Sequence, residues 1–322
     1  MQEHPAIQAV CAQLLDSQPR DIELSLQGLA ILPIDLNVLP GPEVLHVAAA
    51  MEQGLLDIEE LPAPTVPSVK VLNRADLPVF FPAGVVLRGG AQTRIVATPT
   101  LVMPGMTVEV AVRCVEAGRW STHSDRRFRG VSSAPERLKR SKARRDSAAR
   151  ESRGVRASDQ TDTWQEVTVY LETCRVHSPS ESLQDAMEDT ITIVLEKRNE
   201  MSEEEKAQIQ AALEGAQGVA ITRHPEGLVA LDLFGTPDLA EHGVPMAVDS
   251  VEIEAGNVSR AQPTKAQASA LLDAVRKSVL AAAWTVREEG TGTLIDFSTP
   301  AGAQGTAFVY QEHVLQTSLS WA

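Results

Sequence analysis

The sequence of 322 residues predicts an α+β fold. Segments rich in Val, Ile and Thr occupy residues 22–34 and 66–115, and helical stripes of apolar residues follow over 163–215 and 264–283. Short strand patterns return over residues 293–321. Runs of strands, then helices, then strands again favour α+β over the alternating pattern of a parallel βαβ sheet. We therefore expect a β-rich N-terminal part, and a C-terminal part of helices with a further small sheet.

The N-terminal strands are predicted from alternation and from turn residues. Residues 22–34 open with alternating apolar and polar side chains, which is typical of a half-buried strand. The pairs Gly89-Gly90 and Pro104-Gly105 separate later strands, as expected at tight turns. The strands predicted after residue 34 are Val66–Asn73, Val79–Leu87, Gln92–Met103 and Thr107–Val115.

The helices are predicted from apolar periodicity and from capping residues. A short helix at Glu43–Gln53 ends at Gly54. Ser202 and Glu205 form a capping-box pattern, which indicates the start of a later helix. The β-branched content of Thr163–Val176 leaves a strand open there as an alternative to a helix. The other elements are helices at Ser182–Asn199, Ser202–Gly215 and Thr264–Ala283, a hairpin of Gly218–Thr222 with Leu228–Phe234, and three strands within Thr293–Trp321.

Charge is distributed unevenly along the chain, whose net charge is −14. Residues 121–158 hold 12 of the 29 basic and four of the 43 acidic residues, so this segment is +8 and the remainder is −22. High charge with few large apolar residues indicates a flexible insertion. Such a segment could bind a polyanion or a partner protein. A solvated loop is the simpler interpretation, because Phe128 is its one aromatic residue for stacking on bases.

The expected organisation is an N-terminal segment 1–21, a β-rich part 22–120, the flexible basic insertion 121–158 and an α+β part 159–322. Apolar residues make up 43% and charged residues 22%, which is ordinary for a globular protein. No apolar run in the sequence is long enough for a membrane span. The N-terminus shows no signal-peptide pattern. Three widely spaced cysteines suggest reduced thiols, so we expect a cytoplasmic protein with no membrane contact. The seven histidines show no paired metal spacing, so we expect no metal site.

Three segments together resemble one protein family. They are Leu87–Arg94, Cys114–Trp120 and Ser158–Trp164. In this order they are similar to motifs of the ARPP family, the ADP-ribosylglycohydrolase- and rhodanese-phosphatase-associated domain proteins, over roughly residues 22–320. The resemblance implies, by association, a role linked to NAD or ADP-ribose metabolism.

The chain also departs from the family pattern as the resemblance presents it. Many members carry two acids, a Lys and an Asn where this sequence has Val85, Val86, Ala91 and Thr93. If those acids and that amine perform acid–base chemistry in relatives, this chain lacks it. The catalytic residues, and whether catalysis occurs at all, are therefore unknown, as is any cofactor.

The first candidate site residues surround the glycine pair and the end of a strand. Gln92 and Arg94 follow Gly89-Gly90, and Arg94 could clamp a phosphate. The simpler interpretation is a tight hairpin turn with Arg94 exposed. Further along, Arg119 could pair with phosphate, Glu116 could accept from a ribose hydroxyl and Trp120 could stack on a base. The alternative there is a buried Glu–Arg pair beside a core tryptophan.

A second group follows the basic insertion. Asp159, Gln160, Asp162 and Trp164 could bind a ribose or a metal, although acids at this point also suit the N-terminus of a helix. We expect Gln92, Arg94, Glu116, Arg119 and Trp120 to converge with the segment Asp159–Trp164 on one surface.

Two functions remain open from the sequence. One is the binding, with or without processing, of an ADP-ribose-like or other phosphorylated nucleotide ligand. The alternative is a non-catalytic interaction or scaffold protein with a basic flexible arm.

Overall fold

The computed structural model contains two compact units. The discontinuous unit combines Met1–Glu43 with Lys197–Ala322, and the inserted unit is Val44–Glu196. The predicted β-rich part and the predicted C-terminal part each contribute segments to both units. The structure describes residues 4–21, 24–26, 29–37, 41–61, 67–118, 126–139, 160–223, 227–252, 265–300 and 302–321.

The described part of the chain contains both helices and strands, eighteen of them strands. The helices are α1 (Pro5–Asp16), α2 (Val47–Glu52), α3 (Gln160–Cys174), α4 (Leu183–Glu200), α5 (Glu203–Leu213), α6 (Pro237–Glu252) and α7 (Lys265–Val279). The strands are β1 (Ser17–Pro19), β2 (Leu24–Leu26), β3 (Leu29–Leu36), β4 (Leu45–His46), β5 (Leu56–Glu59), β6 (Ser68–Asn73), β7 (Val79–Phe81), β8 (Val85–Gly89), β9 (Arg94–Val96), β10 (Thr100–Val102), β11 (Thr107–Cys114), β12 (Phe128–Ser133), β13 (Gly218–Arg223), β14 (Gly227–Phe234), β15 (Ala283–Glu289), β16 (Gly292–Ser298), β17 (Gln304–Tyr310) and β18 (His313–Ser320). This composition confirms the predicted α+β class.

A nine-stranded antiparallel sheet forms the centre of the discontinuous unit. Its order is β1-β3-β13-β14-β18-β17-β16-β15, with β2 also paired to β3. Apolar residues of α1 and α7, such as Ile7 and Leu272, pack with Leu233 and Phe297 into one core. α6 covers the opposite face, since Gly243 lies against the ring of Phe234, whose side chain alternates with that of Leu233. The sheet is therefore covered by helices on both faces.

A six-stranded antiparallel sheet, in the order β12-β8-β9-β11-β6-β5, dominates the inserted unit. Its two edge strands approach each other, because Glu59, the last residue of β5, bridges Arg127 just before β12. Next to this bridge the backbone N–H of Glu60 donates to the carbonyl of Arg126 at 2.9 Å. The sheet thus curls until its edges meet, and one face of every strand points into an enclosed interior. A separate three-stranded sheet has the order β10-β7-β4.

The structure corrects the expected flexible insertion at 121–158. Residues Phe128–Ser133 form β12, which pairs along β8, and Phe128 is only 4% exposed. Leu138 is also buried. Phe128 and Val131 serve as sheet residues while Arg127 and Arg129 remain exposed, so the charge of this stretch lies on its solvent face. Residues 121–125 and 140–158 lie outside the described residues, and flexibility remains a prediction there.

Other differences have local causes. Two predicted strands are each divided, into β7 with β8 and into β9 with β10. The predicted helix at Thr264–Ala283 ends earlier, at Val279, because Ala283–Glu289 forms β15. α6, which the sequence analysis does not predict, contains Pro245, a residue that is unfavourable inside a helix. The capping box is confirmed, and hydrogen bonds from Ser202 lower the pKa of the Glu205 carboxyl.

The β17–β18 hairpin carries backbone strain that a glycine should relieve. Its loop has two residues, Gln311 and Glu312, both left-handed at φ 49° and 66°, between the paired Tyr310 and His313. Such turns favour glycine because a Cβ crowds the following carbonyl. We expect Glu312→Gly to stabilise the protein by about 0.5–1 kcal/mol in urea denaturation. Glu288→Gly, within β15, should destabilise by a similar amount, and a loss in both variants would contradict the strain.

Candidate binding site

The glycine pair forms the turn that the sequence predicts between β8 and β9. Gly89 and Gly90 have φ of 111° and 65°, a conformation that residues with a Cβ rarely adopt. A Cβ on Gly90 would also lie 2.8 Å from the ring of Phe128. The hairpin interpretation is therefore confirmed, and the chain continues from this turn into β9.

Arg94 at the start of β9 lies inside the closed sheet. It pairs with Leu87 on β8 and with Cys114 on β11, so the three side chains share one face. Arg94 is 0% exposed, which contradicts the expectation of an exposed side chain in a hairpin. Its Nη2 donates to both carboxylate oxygens of Glu60, each at 3.2 Å, while Nε and Nη1 have no acceptor among the described residues.

Glu60, the partner of Arg94, is a residue that the sequence analysis missed. It is 4% exposed and directly follows β5. Leu56 and Ile58 are buried in that strand, and the two-residue period places Glu60 on the same face. This alternation is the signal that could have identified Glu60 as an acid facing the interior.

Gln92 and Glu116 meet beside the β9–β11 pair. Gln92 Nε2 donates to the backbone carbonyl of Glu116 at 3.1 Å, and the backbone N–H of Thr93 donates to Glu116 Oε2 at 3.2 Å. Both side chains are buried. Thr93 Oγ1 also donates to Gln184 Oε1 at 3.1 Å, which ties the first turn of α4 to this corner.

Gln160 and Trp164 approach the same corner from α3. The Gln160 side chain pairs with the backbone of Cys114 like a neighbouring strand: Nε2 donates to the Cys114 carbonyl at 2.7 Å, and the Cys114 N–H donates to Oε1 at 3.0 Å. Trp164 lies one helical turn after Gln160 on the same side of α3. A helix, rather than the alternative strand, is therefore what positions these two residues.

The Cys114 thiol lies at the centre of these contacts. It is fully buried, and all three cysteines are free of disulfides. The largest influence is burial, which raises the pKa of the thiol. The pKa is lowered by hydrogen bonding at the Glu116 backbone, by the charge of Arg94 and by the Trp164 indole, and the Glu116 carboxylate raises it again. Because the net effect is upward, Cys114 is a neutral thiol and not an activated nucleophile at neutral pH.

Five of the eight predicted site residues thus gather within the inserted unit. With Glu60 and Cys114 we call them the Arg94 cluster, which comprises Glu60, Gln92, Arg94, Cys114, Glu116, Gln160 and Trp164. Arg119, Trp120 and Asp159 lie outside the described residues. Asp162 lies in the first turn of α3, as its helix-terminus interpretation predicts.

The segment before α4 closes one side of the cluster. Glu116 and Ser182 form an antiparallel bridge, and the Leu183 N–H donates to the Val115 carbonyl at 2.9 Å. The Gly118 N–H donates to the Ser180 carbonyl at 2.7 Å, where a Cβ on Gly118 would lie 2.8 Å from Ser180. Gly118, which the sequence analysis treated only as part of a motif, is therefore needed for close approach of two backbones.

The fold and the cluster define an α+β protein in which a closed antiparallel sheet encloses a buried arginine–glutamate pair. The chain belongs to the ARPP-1 family, the ARG and Rhodanese-Phosphatase-superfamily-associated Protein domain, whose model matches residues 22–320. No curated protein and no solved structure matches the chain.

Two absences among the described residues bear on the class of site. These residues contain no group of three or more His, Cys, Asp and Glu side chains that could hold a metal ion. Within the same ranges, no helix has the length and apolar character needed to cross a membrane.

Proposed function

We propose that this chain binds an ADP-ribose-like or other phosphorylated nucleotide ligand at the Arg94 cluster. The carrying observation is that Arg94 Nε and Nη1 are buried and have no acceptor in the described part of the chain. Because buried donors are nearly always satisfied, such donors mark a place for a ligand atom or an ordered water. The family description, which names ARG, supports a ligand related to ADP-ribose.

Candidate residues other than Arg94 supply a ribose contact, a polar wall, a phosphate contact and a stacking surface. Glu116 accepts a hydrogen bond from a ribose hydroxyl, while Gln92, Gln160 and Trp164 shape the polar wall beside it. Arg119 pairs with a phosphate and Trp120 stacks on a base, both from the segment that follows Gly118. The proposal assigns no catalytic residue.

A non-catalytic interaction or scaffold protein is the second candidate function. It is favoured by Val85 and Val86, which are 3% and 1% exposed in β8 at positions where the family resemblance leads us to expect acids. Buried valines support packing and supply no proton-transfer group. It is also favoured by the pairing of Arg94 with Glu60, which uses part of the guanidinium for structure.

A ligand-binding experiment separates the two functions. The protein is titrated calorimetrically with ADP-ribose, NAD, AMP and inorganic phosphate, and its melting midpoint is measured with each. A ligand held at 100 times its dissociation constant should stabilise the fold by about 2.7 kcal/mol. If none of the nucleotides binds or stabilises, the scaffold function replaces the binding function.

Arg119→Lys tests the phosphate contact in that titration. Lysine keeps the charge but lacks the planar fork, so affinity for ADP-ribose should fall roughly tenfold with little change in melting midpoint. Arg129→Lys, on the exposed side of β12, is the matched control and should bind like the parent. Unchanged affinity in Arg119→Lys, or a large loss of stability, would remove Arg119 from the site.

A further inference from the structure

Two side chains of the Arg94 cluster carry buried hydrogen-bond donors that have no acceptor among the described residues. Arg94 offers Nε and Nη1, and Trp164 offers a buried Nε1 with no oxygen or nitrogen acceptor among the described residues. Both side chains approach Cys114: Arg94 pairs with it across β9 and β11, and Gln160, one helical turn before Trp164 in α3, hydrogen-bonds to its backbone. The missing partner of these particular donors is therefore an acceptor.

The charges around these donors decide which kind of acceptor fits. Arg94 is balanced by the carboxylate of Glu60 at 3.2 Å, and the carboxylate of Glu116 accepts a hydrogen bond at 3.2 Å from the backbone N–H of Thr93, the residue before Arg94. The buried thiol stays neutral because its pKa is raised. With one cation and two carboxylates, the cluster is already −1. A phosphate placed here would face two carboxylates in an interior with little screening, which is unfavourable.

We propose that the Arg94 and Trp164 donors form a subsite for an uncharged carbonyl oxygen, such as that of a carboxamide or a nucleobase edge. The inference rests on the proposed function, because it names the part of the nucleotide ligand that enters the closed sheet. The phosphates of the same ligand bind outside this interior. The subsite differs from the phosphate clamp that the sequence left open for Arg94, because Glu60 already supplies an anionic partner to the guanidinium.

Nicotinamide and nicotinate are a matched pair of probes for this subsite, since they share a ring and differ in charge at one group. Each is titrated into ¹⁵N-labelled full-length protein, with inorganic pyrophosphate as a third probe. The readouts are the Nε–H signal of Arg94 and the indole N–H signal of Trp164, assigned with Arg94→Lys and Trp164→Phe. We expect nicotinamide to shift both signals in a saturable way, and nicotinate and pyrophosphate to shift neither.

Trp164→Phe tests the subsite by affinity, because it removes the donor and keeps an aromatic ring. Nicotinamide should bind this variant roughly tenfold more weakly, whereas Trp321→Phe in the discontinuous unit should bind like the parent. Equal affinity for all three proteins would contradict the proposed subsite.

The outcomes separate this inference from the proposed function. Signals that respond to pyrophosphate or nicotinate but not to nicotinamide overturn the uncharged subsite in favour of an anion clamp. ADP-ribose or NAD binding without movement of either signal also overturns it, while the proposed function stands. A response to nicotinamide without any nucleotide binding supports the subsite and refutes the nucleotide function. Cross-peaks from both donors to a bound water that no probe displaces would show a hydration site and overturn the inference.

Discussion

Replacing Glu60 with alanine should lower the free energy of unfolding by about 3–5 kcal/mol, because it leaves the Arg94 guanidinium charged and unpaired inside the closed sheet. Both partners are buried, so solvent cannot take the place of the lost carboxylate. Urea denaturation followed by circular dichroism measures the effect. Glu203→Ala removes the partner of Lys206 in an exposed pair at 2.7 Å, and should change stability by less than about 1 kcal/mol.

A double variant tests whether the cost comes from the stranded charge. Glu60→Leu combined with Arg94→Met replaces both charged groups with apolar ones of comparable size. Such replacements are often neutral or stabilising, so the double variant should be far more stable than Glu60→Ala. If it were as unstable as the single variant, the pair would contribute through packing rather than charge.

Gly235→Ala should be the most damaging single methyl addition in the discontinuous unit. A Cβ on Gly235 would lie 1.7 Å from the carbonyl oxygen of Val314, on backbone that cannot rotate away. The Gly235 N–H also donates to the Leu315 carbonyl at 2.9 Å, which holds the end of β14 against β18. We expect a loss of more than about 3 kcal/mol, at or beyond the upper end of ordinary overpacking.

Gly41→Ala is the matched control for that substitution. Its added Cβ would lie no closer than 3.4 Å to Thr236 and 3.5 Å to His313, which is ordinary contact. The two variants are compared by calorimetric melting midpoint. If the Gly235→Ala and Gly41→Ala proteins had the same melting midpoint, the β14–β18 junction would be able to shift and accept a side chain, against this prediction.

The hairpin at Gly89-Gly90 was predictable because it depends on a local pattern. The apolar periodicity over Thr163–Val176 favoured the helix α3, although a strand was left open there. Glycines with positive φ mark the turn, and apolar periodicity marks α3. The burial of Arg94 was not predictable in the same way. Its partner Glu60 is 34 residues away, and the two meet only because the sheet closes between Glu59 and Arg127.

The composition of residues 121–158 did not predict β12, for a related reason. The charge of residues 121–158 is an average over the segment, whereas a strand needs apolar residues only on one face. Phe128 and Val131 provide that face, and their arginine neighbours remain in solvent. The roles of Arg119, Trp120 and Asp159 in ligand binding remain predictions from the sequence. The titration of the Arg119→Lys variant tests the role of Arg119 directly.

The division of the chain into an inserted and a discontinuous unit has a consequence for synthesis on the ribosome. β3 needs β13 as its neighbour, and the two strands are separated by the whole of Val44–Glu196. At about 5–20 residues per second, the apolar strand Leu29–Leu36 waits roughly 10–40 s after its emergence for that partner. The inserted unit has all its strands by then and can close first. During that interval the apolar residues of the nascent strand lack their β13 neighbour, so we expect a chaperone to bind this strand.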